Sequence, residues 1–220
     1  SMAESPVGWL NASIGKERRL HEPRARIIAG LWSEIHGLCY TPHPFFCCDH
    51  RCAYAATRDL YPMALNNIDI VLVNSLHSGN IGGVARAMKN MGLSRLTLVK
   101  PLEYPAPEAV WRAASASDVL ESARIVETVE EAVADAQFIV GTSARGRTIP
   151  WPIQDARQCA QRVLTSSRRG ERVAIVFGRE DRGLLNEELE LCNLHCHIPT
   201  HEAYPSLNLA LAVQILAYEI

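Results

Sequence analysis

Three glycine-bearing segments carry the residue types that can hold a nucleotide. The first is His77-Ser78-Gly79-Asn80-Ile81-Gly82-Gly83-Val84-Ala85-Arg86, which follows an apolar run. Its glycines permit close backbone approach, and free N–H groups at a helix start favour an anion such as a nucleotide phosphate. Arg86 falls on the first two turns of that helix, where it can reach back to the same point; a tight turn with a solvated arginine is the plainer reading. The second segment, Gly141-Thr142-Ser143-Ala144-Arg145-Gly146-Arg147-Thr148-Ile149-Pro150-Trp151-Pro152, sets small hydroxyl residues beside two arginines and a tryptophan. Phosphate contacts and a stacking face suit RNA, although the prolines and Trp151 also serve simply to stiffen a loop. The third combines Phe177-Gly178-Arg179-Glu180-Asp181-Arg182-Gly183-Leu184 with Tyr204-Pro205-Ser206-Leu207-Asn208-Leu209, where Ser206 is a candidate N-cap for the last helix.

The elements that must position these loops alternate between strand and helix. Strands are predicted over Ile68–Val73, Leu96–Val99, Arg124–Glu127, Phe138–Gly141, Val173–Phe177 and Cys196–Ile198, from short β-branched apolar runs. Helices are predicted over Ile81–Met91 (stopped by Gly92), Pro107–Ala114, Val129–Ala136 (capped by Thr128), Asp155–Ser166, Glu187–Cys192 and Ser206–Glu219. Repeated β-α units imply an α/β fold, a mostly parallel sheet with helices on both faces. Each of the three loops then falls at or just after the C-terminal end of a strand, where such sheets bind ligands.

Composition bounds the remaining choices. The chain has 220 residues, 48% hydrophobic and 21% charged, enough apolar material for a real core. No apolar run reaches the length of about 18 residues that a membrane span needs, and no apolar signal segment opens the chain. With a net charge of -2, any attraction to nucleic acid must come from local arginines. Seven cysteines is an odd count for a disulfide framework, so reduced thiols and a cytoplasmic location are expected. Residues 1–62 differ from the rest of the chain: they hold five prolines (6, 23, 42, 44 and 62), show little periodicity and begin with Ser1-Met2, the form of a vector scar. They read as an N-terminal extension, non-native or disordered, ahead of a domain over 63–220 that starts at Met63. Cys47, Cys48, His50 and Cys52, with His36, Cys39 and His43, invite a zinc reading, but no paired C-x2-C spacing supports it and no metal is expected. Cys192, His195, Cys196 and His197 read as core packing along a strand.

The motifs H-x-G-N-x-G-x-x-x-R (77–86), F-G-R-E-x-x-G-L-x-N-E-E-L (177–189) and S-L-N-L-A-x-A-V (206–213) occur in that order, with G-T-S-A-R-x-R-x-x-P-W-P (141–152) between the first two. Together they resemble the SPOUT class of RNA methyltransferases, and within it the TrmJ-type tRNA ribose 2′-O-methyltransferases, over residues 66–220. The resemblance implies an α/β sheet whose C-terminal segment forms a trefoil knot, a homodimer with shared active sites, and S-adenosylmethionine as methyl donor. It places the cofactor against Thr142, Ser143, Ala144, Gly178, Arg179, Ile198, Ser206, Leu207 and Asn208. Arg86 is the implied catalytic arginine with Asn80 its companion, and Glu180 and Ser206 orient it or the hydroxyl. Because a guanidinium stays protonated, the expected role of Arg86 is to bind phosphate and stabilise the developing oxyanion.

By analogy the substrate is the ribose of tRNA nucleotide 32 in the anticodon loop; relatives that act on nucleotide 34 or on rRNA form the alternative. Candidate RNA contacts are Arg145, Arg147, Arg168, Arg169, Arg172 and Arg182. Two departures stand out: Ser75-Leu76 where relatives tend to read T-S, and Pro205 where serine is common. Relatives also continue past the position of Ile220 into a helical extension that helps hold tRNA, so strong cofactor binding with weak tRNA binding is expected of these 220 residues. Two rival classes remain. A non-catalytic RNA-binding protein sits poorly with intact Arg86, Asn80, Glu180 and Asn208. A nucleotide-cofactor oxidoreductase needs G-x-G-x-x-G and an acidic residue closing the second strand, where Lys100-Pro101 stands instead.

Overall fold

A computed structural model of the chain describes residues 64–144 and 152–220. The extension over 1–62, its cysteines and histidines, and Arg145, Arg147 and Trp151 lie outside the described residues.

The strands are β1 (Ile68–Val73), β2 (Arg95–Val99), β3 (Arg124–Val126), β4 (Phe138–Thr142), β5 (Ile153–Gln154), β6 (Val173–Phe177) and β7 (Leu194–Cys196). They form one sheet in the order β3-β2-β1-β6-β4-β7-β5, and every pairing is parallel. The helices are α1 (Ser78–Asn90), α2 (Pro107–Ala113), α3 (Ser117–Glu121), α4 (Val129–Val133), α5 (Ala156–Arg168), α6 (Asn186–Glu190) and α7 (Leu209–Glu219). Parallel strands need crossovers, and the crossover helices cover both faces, as the β-α alternation implied. Alternation along β1 splits the core accordingly. Ile68, Ile70 and Leu72 pack with residues of α1, α2, α5 and α7, while Val71 and Val73 pack with α4 and Leu189 of α6.

β1, β6, β4 and β7 are neighbours, so the turns that leave their C-terminal ends converge on one crevice. Three sequence expectations shift here, each for a tertiary reason. Helix α1 begins at Ser78, not Ile81, so most of the first motif is helix. Its glycines serve packing: a Cβ on Gly82 would lie 2.1 Å from the Ala109 carbonyl oxygen of α2, and one on Gly83 3.0 Å from the Ala210 methyl of α7. β7 covers Leu194–Cys196 instead of Cys196–Ile198, because Leu194 and Cys196 pair with Val140 and Thr142 before the chain leaves the sheet. The last helix begins at Leu209, and its N-cap is Asn208, whose Oδ1 accepts from the Ala210 N–H at 3.0 Å; Ser206 is not the cap. The short β5 and α3 had no periodic signal long enough to predict.

One expected N-cap, Thr128, holds, and Asp155, expected as the first residue of its helix, is found to cap it. Thr128 accepts from the Glu131 N–H at 3.2 Å, and Asp155 caps α5 from just outside it, accepting from the Gln158 N–H at 2.8 Å. Gly92 ends α1 with φ of 78°. No helix among the described residues is long and apolar enough to cross a membrane.

The Gly82 contact supplies a stability test. Alanine there gains about 1 kcal/mol of helix propensity, but a carbonyl oxygen of a packed helix cannot yield as a side chain does. The overpacking cost of about 3 kcal/mol wins. Gly82→Ala is expected to lower the urea midpoint clearly, and Gly83→Ala, which meets only a methyl group, to lower it less.

Candidate active site

The crevice is a cavity of about 220 Å³. Three chain segments line it: Thr142 to Ala144 after β4, Phe177 to Leu184 at the end of β6, and Pro205 to Leu207 before α7. Cys196 and Ile198 from the end of β7, with Leu209 and Ala212 of α7, complete the wall. The turn after β6 folds tightly back. The Gly183 N–H donates to the Arg179 carbonyl at 2.9 Å, Gly183 sits at φ of 73°, and a Cβ on Gly178 would lie 2.2 Å from the Gly183 carbonyl carbon. Gly178 is therefore required by chain-to-chain approach within the turn.

One carboxylate ties this turn to the start of α1. Glu180 Oε1 accepts from Ser75 Oγ and from Asn80 Nδ2, both at 2.9 Å, and Oε2 accepts from the Leu76 N–H at 2.9 Å. Asn208 Nδ2 donates to Asn80 Oδ1 at 3.0 Å, which carries the chain of bonds on to α7. Burial pushes the Glu180 carboxyl up, but the bonds from Asn80, the Leu76 N–H, its own N–H and Ser75 prevail and hold it below the ordinary glutamate value. It is the ionised form that organises the site.

A second network fixes the other side of the turn. Arg179 donates to both oxygens of Glu188 at 3.0 and 3.1 Å and to Asn74 Oδ1 at 2.7 Å, and Glu188 Oε2 also accepts from the Leu185 N–H at 2.7 Å. The pair is 15% and 12% exposed, so its bidentate geometry and extra partners are what compensate for lost hydration. Asn74 adopts φ of 47°, a left-handed conformation that asparagine tolerates. Asn74, Ser75 and Glu188 were not among the site residues expected from the sequence, although Ser75 stood out as a departure and Glu188 lies in the motif over 177–189. The N-E-E run after Gly183 and an Asn-Ser pair closing a strand were the available signals.

The sequence-derived residues divide into groups. Thr142, Ser143, Ala144, Gly178, Arg179, Ile198, Ser206 and Leu207 line the cavity, as does Arg182. The Arg179 guanidinium, however, points into the Glu188 network. Asn80, Glu180 and Asn208 form the hydrogen-bonded chain beside it. The start of α1, expected to attract a phosphate, is already faced by Glu180 and by Glu108 of α2, whose Oε1 would lie 2.5 Å from a Cβ on Gly79. Arg86 is exposed, outside the cavity lining, and makes no hydrogen bond or ion pair with a described residue.

Arg168 and Arg169 end α5, and Arg172 precedes β6, at the opposite end of the sheet. β6 has five residues, so roughly 17 Å of strand separates Arg172 from the crevice. Cys192, His195 and Cys196 are buried, as core packing requires, and burial pushes the Cys192 thiol up to about 12. His195 Nε2 lies 3.3 Å from the Leu189 carbonyl oxygen and His197 Nδ1 3.0 Å from that of Ser143.

The SpoU rRNA Methylase family model matches residues 67–218, the stretch that builds this sheet and crevice. The chain belongs to that family. Among curated SpoU relatives, it is 54% identical over 156 residues to the tRNA (cytidine/uridine/adenosine-2'-O-)-methyltransferase TrmJ of Pseudomonas aeruginosa, covering 71% of this chain and 61% of that protein. It is 53% identical over 156 residues to the tRNA (cytidine/uridine-2'-O-)-methyltransferase TrmJ of Escherichia coli, covering 71% and 63%. Among solved SpoU-like structures, TrmJ from Z. mobilis ZM4 superposes with a TM-score of 0.64 at 39% identity, covering 69% of this chain and 67% of that one. The chain thus spans about six-tenths of the length of the two curated relatives.

The Glu180 tie is directly testable in this SpoU domain. Its folded pKa lies below the unfolded value near 4.5, so its stabilisation is complete above that pH and is lost as pH falls through the folded value. Glu180→Gln loses the charge-assisted bond to the Leu76 N–H and is expected to cost about 2 kcal/mol at pH 7. The difference from wild type in urea unfolding should shrink to nothing at acidic pH. A constant difference across pH is the opposing result.

Proposed function

We propose that the protein transfers a methyl group from S-adenosylmethionine to a ribose 2′-hydroxyl of tRNA, at nucleotide 32 of the anticodon loop. The observation that carries this reading is the crevice itself, assembled by the Glu180 chain of bonds from the family's motif residues. Its chemistry fits the cofactor. Phe177, Ile198, Leu207 and Leu209 provide an apolar slot for an adenine ring, edged by the main chain of residues 142–144 and 178–184. When bound, S-adenosylmethionine supplies an electrophilic methyl carbon. The relatives' names support a tRNA 2′-O-methyl product.

The chain's own residues then have separable tasks. The cavity walls orient the donor, which leaves the ribose oxygen to be aligned in line with it. Arg86 cannot take the hydroxyl proton, because a guanidinium stays protonated; it holds the adjacent phosphate and stabilises the oxyanion as it forms. Asn80 and Glu180 hold α1 against the turn after β6, and so position Arg86. Arg182 on the cavity rim, with Arg145 and Arg147, binds the RNA strand. The distant Arg168, Arg169 and Arg172 then meet tRNA only outside the reacting nucleotide.

Arg86 lies outside its own protomer's cavity, which supports a homodimer in which it serves the partner's cavity. α7 supports the same reading: Leu211, Ile215 and Tyr218 form an outward stripe, and Leu211 and Tyr218 are 57% and 72% exposed. The C-terminal segment over 197–220, which passes from β7 through the cavity wall into α7, is the part we assign to the trefoil knot. The domain itself we assign to 63–220, with residues 1–62 ahead of it, in the cytoplasm.

The test is transfer of labelled methyl to unmodified tRNA and rRNA transcripts, with the product nucleoside mapped. A 2′-O-methyl group at nucleotide 32 is expected; label at nucleotide 34 or on rRNA instead assigns the sister specificity. Arg86→Ala should lose at least a hundredfold in kcat, in keeping with removal of one oxyanion donor. Mixing it with Ser206→Trp, which fills the cavity, should restore activity through mixed dimers. Two dead variants that stay dead when mixed argue for action within one protomer.

A further inference from the structure

The cavity explains where a methyl donor sits but not what holds the nucleotide that receives the methyl. The segment between β7 and α7 contains an aromatic ring that no part of the site uses. Tyr204 is 78% exposed. Exposure alone does not single it out, since Trp111 on α2 is also 78% exposed. Two further facts do. The backbone around Tyr204 is braced: its N–H donates to the His201 carbonyl at 2.9 Å, the Ala203 N–H donates to His201 Nδ1 at 3.2 Å, and Thr200 Oγ1 donates to the Pro205 carbonyl at 3.1 Å. Pro205 fixes its own φ and keeps the preceding residue extended. The next three residues, Pro205, Ser206 and Leu207, line the cavity, so the Tyr204 Cα stands one peptide, about 3.8 Å, from a lining residue. The turn after β6, which lines the same cavity, carries Arg182, 64% exposed and paired with Asp181 at 3.0 Å.

A ribose hydroxyl reaches a methyl donor inside such a cavity only when its nucleotide has left the neighbouring stack. Single-stranded RNA loops offer bases of that kind, and proteins hold them by replacing the lost neighbour with an aromatic face. We propose that Tyr204 is that face: a positioning residue on which a base of the RNA loop stacks at the cavity mouth, with Arg182 of the turn after β6 available to the phosphate. This rests on the RNA methyl transfer proposed above. A stacking role needs the ring and not the hydroxyl, and any base presents a π-face, so Tyr204 sets affinity for an unstacked loop and leaves the choice of base to other groups.

The experiment uses the whole chain, S-adenosylmethionine and unmodified tRNA transcripts. Tyr204→Ala should raise KM for tRNA about tenfold or more, with kcat and the cofactor Kd within twofold of wild type. Tyr204→Phe should restore the wild-type KM. Tyr204→Trp provides a readout independent of turnover, since its added fluorescence should be quenched as tRNA is titrated in. An unchanged KM in Tyr204→Ala, or an added tryptophan signal indifferent to tRNA, overturns the stacking role while the methyl-transfer reading stands. A weakened cofactor Kd that phenylalanine does not restore also overturns it, and makes the residue a brace of the turn. A wild-type protein that methylates no tRNA removes the functional reading and this one with it.

Discussion

The Glu180 carboxylate is the point on which this site depends. It binds the hydroxyl of Ser75, the N–H of Leu76 and the amide of Asn80, residues 100 to 105 positions away in sequence. Asn80 passes the connection to Asn208, and so to α7. Three segments, which leave β1, β6 and β7, are held together by one half-buried charge. Each bond is charge-assisted or polarised by one that is, so the set is stronger than isolated neutral bonds would be. The parallel order β1-β6-β4-β7 brings the segments within reach, and Glu180 fixes their spacing.

Everything that the cavity needs depends on that fixation. The turn after β6 can fold back on itself because Gly178 and Gly183 allow it, and it stays folded because Arg179 is locked to Glu188 and Asn74. An arginine that reads in the sequence as a ligand contact is thus committed to holding the wall. Arg86, by contrast, is left without a partner among described residues. Its exposed guanidinium, on a packed helix, is thus available for a ligand or a second protomer.

Much of this was legible in the residues. Strand positions followed from β-branched apolar runs such as Ile68–Val73 and Val173–Phe177, since a strand buried on both faces leaves little room for other patterns. The motif residues identified the three lining segments. What could not be read depends on partners distant in sequence. The glycines of the first motif look like a loop but are packing positions, which only the approach of Ala109 and Ala210 reveals. Ser206 and Asn208 are both good caps; Asn208 takes the role while also bonding Asn80, and Ser206 is left to line the cavity. Arg168, Arg169 and Arg172 looked equivalent to Arg182 in composition, yet strand direction sends them to the opposite end of the sheet.

The central claim is that Glu180 prebuilds a cavity for an adenosyl methyl donor at the C-terminal ends of β6, β4 and β7. It is tested most directly by a crystal structure of the chain with S-adenosylhomocysteine. The ligand is expected against Thr142 to Ala144, Gly178 and Leu207, with the bonds from Ser75, Leu76 and Asn80 to Glu180 unchanged. Ligand density elsewhere on the molecule, or a filled cavity reached only by breaking the Glu180 bonds, would contradict it.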